Sequence, residues 1–141
     1  MKLQIEDIRN YMKQKNIDNT LDINKPIKSL GIYQIKEEKN PNNNGKKWIV
    51  KIKGPELSLY KNGVFTIRID FPPDFPEERP RVIFETKIRH IQVSSAGNIC
   101  VHFLVRWEKE TSLKELLTGL YLFFYCHQNP DSPFDSELAH F

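Results

Sequence analysis

Four prolines between residues 72 and 80 (Pro72, Pro73, Pro76 and Pro80) constrain this chain more than any other feature. Proline has no backbone N–H to give to a ladder, so this stretch cannot be an interior strand. Both flanks nevertheless read as strand. Before it, Val64-Phe65-Thr66-Ile67-Arg68-Ile69-Asp70-Phe71 alternates, with Phe65, Ile67, Ile69 and Phe71 on one face. After it, Arg81-Val82-Ile83-Phe84 resumes an apolar run. The chain must therefore leave a sheet, cross over irregularly and re-enter. Upstream, residues 32–36 alternate apolar and polar, the turn formers Asn40-Pro41-Asn42-Asn43-Asn44-Gly45 follow, and Trp48-Ile49-Val50-Lys51-Ile52 completes a hairpin. Asn62-Gly63 supplies the next turn. Four antiparallel strands are expected.

Helical spacing brackets this sheet. Ile5, Ile8 and Met12, set among Glu6, Asp7, Arg9 and Lys13, predict an amphipathic helix over residues 3–15. Near the other end, Ser112 followed by Glu115 has the spacing of a capping box. Leu113, Leu116, Leu117, Leu120 and Phe124 then repeat as a helix face. The helix turns apolar nearly all round at Tyr121-Leu122-Phe123-Phe124-Tyr125, which calls for burial on several sides or a partner; a role as a binding subunit would leave part of this girdle uncovered. Helix, strand meander, cysteine-bearing loop and helix make an α+β layout, expected as one domain over residues 1–141.

At 141 residues such a domain buries about 70% of its unfolded surface, so its core needs no disulfide or metal. A net charge of +3 with both signs interspersed argues against a nucleic-acid surface. No apolar run approaches the roughly 20 residues that span a bilayer. Cys100 and Cys126 have no paired spacing and no leader precedes them, so free thiols in a reducing compartment, cytosolic or nuclear, are expected.

Cys100 follows Gly97-Asn98 and precedes Val101-His102, a turn leading into a short apolar stretch that places the thiol at the lip of a loop. An ordinary thiol, with a pKa near about 8.5, is a few per cent thiolate at neutral pH, enough to exchange acyl groups between sulfurs. Zinc binding by Cys100, His102, Cys126 and His127 lacks the Cys-x-x-Cys spacing of such sites. His90, between apolar neighbours, reads as a residue that pins its own loop, and Cys126 as a small hydrophobe on a helix.

Taken together, Gly54-Pro55, Tyr60, residues 71–80, His90 through Cys100, Trp107 and Asn129-Pro130-Asp131-Ser132-Pro133 resemble the landmarks of the ubiquitin-conjugating enzyme family, from about Trp48 to about Asp135. The resemblance implies that family's fold, with Cys100 as the thioester-forming nucleophile and His90 as the histidine of a His-Pro-Asn tripeptide. It implies ubiquitin or a ubiquitin-like protein as the modifier, an activating enzyme and a ligase at the N-terminal helix, and no metal or organic cofactor. It also implies C-terminal helices that are cut short in this chain.

The pattern is altered around the cysteine. His90-Ile91-Gln92 stands for His-Pro-Asn, so Gln92 carries the loop or oxyanion amide about 1.5 Å further out. His102 stands where members often have an acidic group and is a candidate proton acceptor. Ser132 fills an acidic or hydroxyl position and is a candidate gate. Glu77 replaces an aromatic residue, and Trp107-Glu108-Lys109-Glu110 replaces small and proline residues, which disfavours the common RING and HECT ligases. Two functions remain open: a divergent conjugating enzyme loaded at Cys100, and a weak or inactive member serving as a scaffold or binding subunit.

Overall fold

The computed structural model describes residues 3–126. Helix α1 (Ile5–Gln14) starts at a capping box in which the Gln4 backbone N–H donates to Asp7 Oδ2 at 2.9 Å. Glu6 and Asp7 lie in its first turn, at the positive end of the helix dipole, and Ile5, Ile8 and Met12 are its buried stripe. A short 3-10 turn (Lys28–Leu30) then leads into a meander of β1 (Ile32–Lys39), β2 (Lys46–Lys53), β3 (Val64–Phe71) and β4 (Arg81–Phe84), antiparallel and in that spatial order. All four expected strands are present, the first two longer than the alternation alone predicts. Helices α2 (His102–Val105) and α3 (Leu113–Phe123) follow. The four residues of α2 had no signal in the sequence.

Register explains which face is buried. Val50 pairs with Ile67 and Ile67 with Phe84, while Trp48 pairs with Ile69 and Ile69 with Val82, so the apolar residues of three strands meet on one side. In β1 the alternation breaks: a bulge between Ile32 and Gln34 puts Ile32 and Ile35 both into the core while Tyr33 stays exposed. The Asn-rich connection from β1 to β2 is closed by Asn40 N–H to Gly45 O at 3.0 Å and Gly45 N–H to Asn43 Oδ1 at 2.7 Å.

The proline crossover is held by rings. Trp48, Phe71, Phe75 and Trp107 form a chain with centroid spacings of 4.9, 4.8 and 5.8 Å, and Trp107 Nε1–H donates to Pro76 O at 2.7 Å. Prolines 72–80 thus leave the ladder yet stay anchored to β2 and to the segment after α2.

Helix α3 begins as a capping box: Ser112 N–H donates to Glu115 Oε1 at 2.8 Å, and Glu115 N–H to Ser112 Oγ at 3.0 Å. The same carboxylate accepts Arg9 Nε–H at 3.0 Å, tying α1 to α3. Burial by itself would lower the Arg9 guanidinium, but the hydrogen bond and charge of Glu115, and then Glu108 at 3.5 Å, outweigh it and hold its pKa raised. The apolar girdle is covered, the first of the two alternatives its pattern left, and not the uncovered face expected of a binding subunit. Leu120, Leu122, Phe123, Phe124 and Cys126 are each at most 1% exposed, and Phe123 and Phe124 pack against Phe65 and Phe84 of the sheet. The sheet's inner face and α1 together cover most of α3, and within the girdle only Tyr121 and Tyr125 stay half-buried.

Two predictions follow from this packing. A Cβ on Gly54 would fall 1.8 Å from the backbone oxygen of Tyr60, so Gly54→Ala should lower stability by about 2 kcal/mol or more, read as a shift in the urea midpoint. Burial, followed by their neighbours' hydroxyls, pushes both Tyr11 and Tyr121 up to about 12 from an ordinary 10. Because the folded pKa lies above the unfolded one, their contribution is intact below pH 10 and is lost as pH rises from 10 to 12. Thermal midpoints should fall across that window, and Tyr11→Phe should flatten the fall.

Candidate active site

Residues 92–100 fold back on themselves. Val93 bridges Ile99, Cys100 N–H donates to Gln92 O at 2.8 Å, and Ser94 N–H donates to Asn98 O at 3.0 Å. The turn closes at Gly97, whose φ of +88° and whose position, where a Cβ would lie 2.4 Å from Phe84 O, both require glycine. The return arm adds to the edge of β4: Phe84 N–H donates to Gly97 O at 2.8 Å and Ile99 N–H to Val82 O at 3.1 Å. Cys100 therefore ends a strand-like arm just before α2, and its thiol is exposed. Cys126 is buried, with its thiol donating to Leu122 O at 3.5 Å, as a helix hydrophobe does.

His90 pins the start of this loop. Its ring is 6% exposed and is stacked between Phe123 at 4.1 Å and Tyr60 at 5.9 Å. The Gln92 backbone N–H can only donate, so Nδ1 accepts it, at 3.1 Å. Nε2 then carries the hydrogen and donates to Phe123 O at 3.1 Å. With both nitrogens engaged, His90 positions the loop instead of moving protons. Tyr60 adds a second clamp by donating its hydroxyl to Arg89 O at 2.6 Å.

Two polar atoms flanking Cys100 in the chain are buried without a hydrogen-bond partner: Gln92 Oε1 and His102 Nδ1. A buried unsatisfied polar atom costs about 1–3 kcal/mol, which a purely structural loop would shed. The only others among the described residues, Arg68 Nε and Asp70 Oδ1, face each other as an ion pair at 3.2 Å. His102 opens α2, whose Phe103 and Leu104 anchor it in the core, while Ile91 projects into solvent, 66% exposed.

On the surface beyond the crossover, Glu77 is exposed and Glu108 pairs with Arg9 of α1. Ser132, His127 and the segment 129–133 lie outside the described residues. Among the described residues no group of three or more His, Cys, Asp or Glu is arranged to hold a metal, and no helix is long and apolar enough to cross a membrane. Tyr60 and Arg89 were missed as partners in the loop's support; only Tyr60's place among the landmarks hinted at it.

A model of the ubiquitin-conjugating enzyme family matches residues 14–141. A probable ubiquitin-conjugating enzyme E2 (L460) of Acanthamoeba polyphaga mimivirus is 37% identical over 94 residues, 65% of this chain and 59% of that relative's length. A Plasmodium vivax ubiquitin-conjugating enzyme E2 superposes with a TM-score of 0.56 at 28% identity, covering 85% of this chain and 97% of the other. A Plasmodium falciparum ubiquitin-conjugating enzyme E2 gives 0.55 at 26% identity, covering 85% and 94%. Human ubiquitin-conjugating enzyme E2 G1, at 0.55 and 23% identity over 83% and 90%, agrees in fold. N-terminal helix, antiparallel meander, pinned cysteine loop and family match coincide along one chain, which belongs to the ubiquitin-conjugating enzyme family.

Proposed function

We propose that this chain accepts ubiquitin or a ubiquitin-like protein as a thioester on Cys100 and passes it to an acceptor. The observation that carries the reading is the thiol itself: it is the only exposed one among the described residues, and it ends an arm held in register against β4. In the loading step the Cys100 thiolate attacks the carbonyl carbon of the modifier's thioester on the activating enzyme. A new C–S bond forms to Cys100, and the activating enzyme's cysteine leaves as thiolate.

Transfer to an amine asks more of the site. The acceptor nitrogen attacks the thioester carbon, an oxyanion develops, and Cys100 leaves as thiolate while the amine gives up a proton. Gln92 is the amide matched to the family's asparagine, its backbone oxygen accepts the Cys100 N–H, and its side-chain oxygen is buried, where a dipole acts strongly. Its extra methylene displaces that amide by about 1.5 Å, and a misplacement of roughly 1 Å is worth about a hundredfold in rate. His102 Nδ1, buried and unpartnered, is the candidate to accept the amine's proton, and Ser132 the candidate gate. The exposed face of α1, with Gln4, Glu6, Asn10 and Lys13, is the proposed contact for the activating enzyme. Glu108 is committed to Arg9 and Glu77 is charged, so a ligase that docks an apolar anchor there is disfavoured.

Incubation with activating enzyme, ATP and a panel of modifiers, followed by a non-reducing gel, tests loading. A thiol-sensitive adduct should form, vanish in Cys100→Ala and persist in Cys126→Ala; an adduct that survives Cys100→Ala would sink the assignment. Loading with no modifier at all would favour the binding-subunit reading instead. For transfer, Gln92→Asn, alone or with Ile91→Pro, should speed discharge to free lysine by about tenfold while leaving loading nearly unchanged.

A further inference from the structure

The ladder that ends at Cys100 also decides what lies beside it. Ile83 on β4 bridges Asn98 in antiparallel register, so two residues further along Cys100 falls opposite Arg81. Side chains alternate along each arm, which puts Arg81, Asn98 and Cys100 on one face. The side chains agree: Arg81 Nε–H donates to Asn98 Oδ1 at 3.3 Å. A groove of about 430 Å³ opens here, from Glu78 and Arg79 across Arg81 and Asn98 to Cys100. A second groove of about 620 Å³ shares Arg81 and Asn98 and continues to Arg68 and Lys87. The two grooves adjoin at Arg81 and Asn98, along one channel-like stretch of surface.

The charge along this channel is uneven. Arg68 is neutralised by Asp70 at 3.2 Å and Glu85 at 3.1 Å. Asp70 is the register partner of Arg81 on β3, but it is turned to Arg68. Arg79 and Arg81 are exposed and form no ion pair among the described residues, and only Glu78 opposes them in the groove beside the thiol. Two guanidiniums without carboxylates, next to a reactive sulfur, suit carboxylates brought by another chain.

We propose that this channel is the acceptor-docking surface and that it selects peptides bearing glutamate or aspartate close to the lysine to be modified, with Arg79 and Arg81 as the specificity-determining residues. The proposal rests on Cys100 as the thioester carrier, but the docking it describes can be measured without a thioester. Guanidinium–carboxylate pairs at such exposed positions are individually weak and screened by salt, so the preference should be modest and salt-sensitive.

Amide chemical shifts of the full chain, titrated with a short lysine peptide flanked by glutamates and with its glutamine twin, provide the test. The acidic peptide should move residues 79, 81, 98 and 100, bind about fivefold more tightly than the twin, and lose that margin as salt rises from about 50 to about 300 mM. Arg79→Gln and Arg81→Gln should each reduce the margin without changing binding of the twin, and Arg81→Glu should reverse it toward an arginine-flanked peptide. Shifts mapping elsewhere, equal binding of the two peptides, binding of neither, or a margin indifferent to both arginines would each overturn the proposal. A parallel discharge assay on preloaded protein should favour the acidic peptide by a similar factor. Absence of loading there would count against the Cys100 reading, while the shift titration still decides the groove.

Discussion

The placement of the candidate site depends on one imidazole. His90 joins the cysteine loop to α3 by donating to Phe123 O and stacking on the Phe123 ring, and it fixes the loop's own geometry by accepting the Gln92 N–H. Neither hydrogen bond is strong by itself, but the bond to Phe123 O is buried and the one from Gln92 part-buried, so breaking either leaves a backbone group poorly served by water. Tyr60 closes the ring from the other side. Ile91 therefore projects at the tip of the loop while its root stays clamped.

That division separates what the fold needs from what chemistry needs. At the root of the loop both His90 nitrogens and the Tyr60 hydroxyl are bonded, whereas Gln92 Oε1 and His102 Nδ1 are left wanting. Unsatisfied groups of this kind persist where a second molecule completes them; Gln92 accepts the Cys100 N–H on its backbone oxygen and His102 lies two residues beyond that exposed thiol. The arginines across the ladder from that thiol are in the same condition electrostatically. Polar groups held without partners thus gather around Cys100 on more than one side.

Away from the thiol, Arg9 links three segments of the chain. It reaches Glu115 at the start of α3 and Glu108 in the segment after Trp107. Glu108, in the charged segment after Trp107, is therefore part of an internal network with α1. A surface stiffened in this way presents charge where an apolar contact would otherwise form.

Local rules carried much of the architecture. Proline's missing donor placed the crossover, period-two alternation placed β3 and a short apolar run β4, both to the residue, and the Ser112–Glu115 spacing placed the start of α3. These signals are legible because each depends on neighbours within a few residues. The bulge at Ile32, the four-residue α2 and the covered girdle were not, because each is settled by what packs against it. The site divides in the same way. The sequence by itself determined that a turn precedes Cys100 and that His90 belongs to its loop. Only the tertiary structure decided that His90 meets a carbonyl 33 residues away, that Tyr60 holds one 29 residues away, and that Arg81 faces Cys100 across the edge of β4. The physical reason is that such contacts exist only after chain closure has brought distant residues together, and no local pattern encodes which of them will meet.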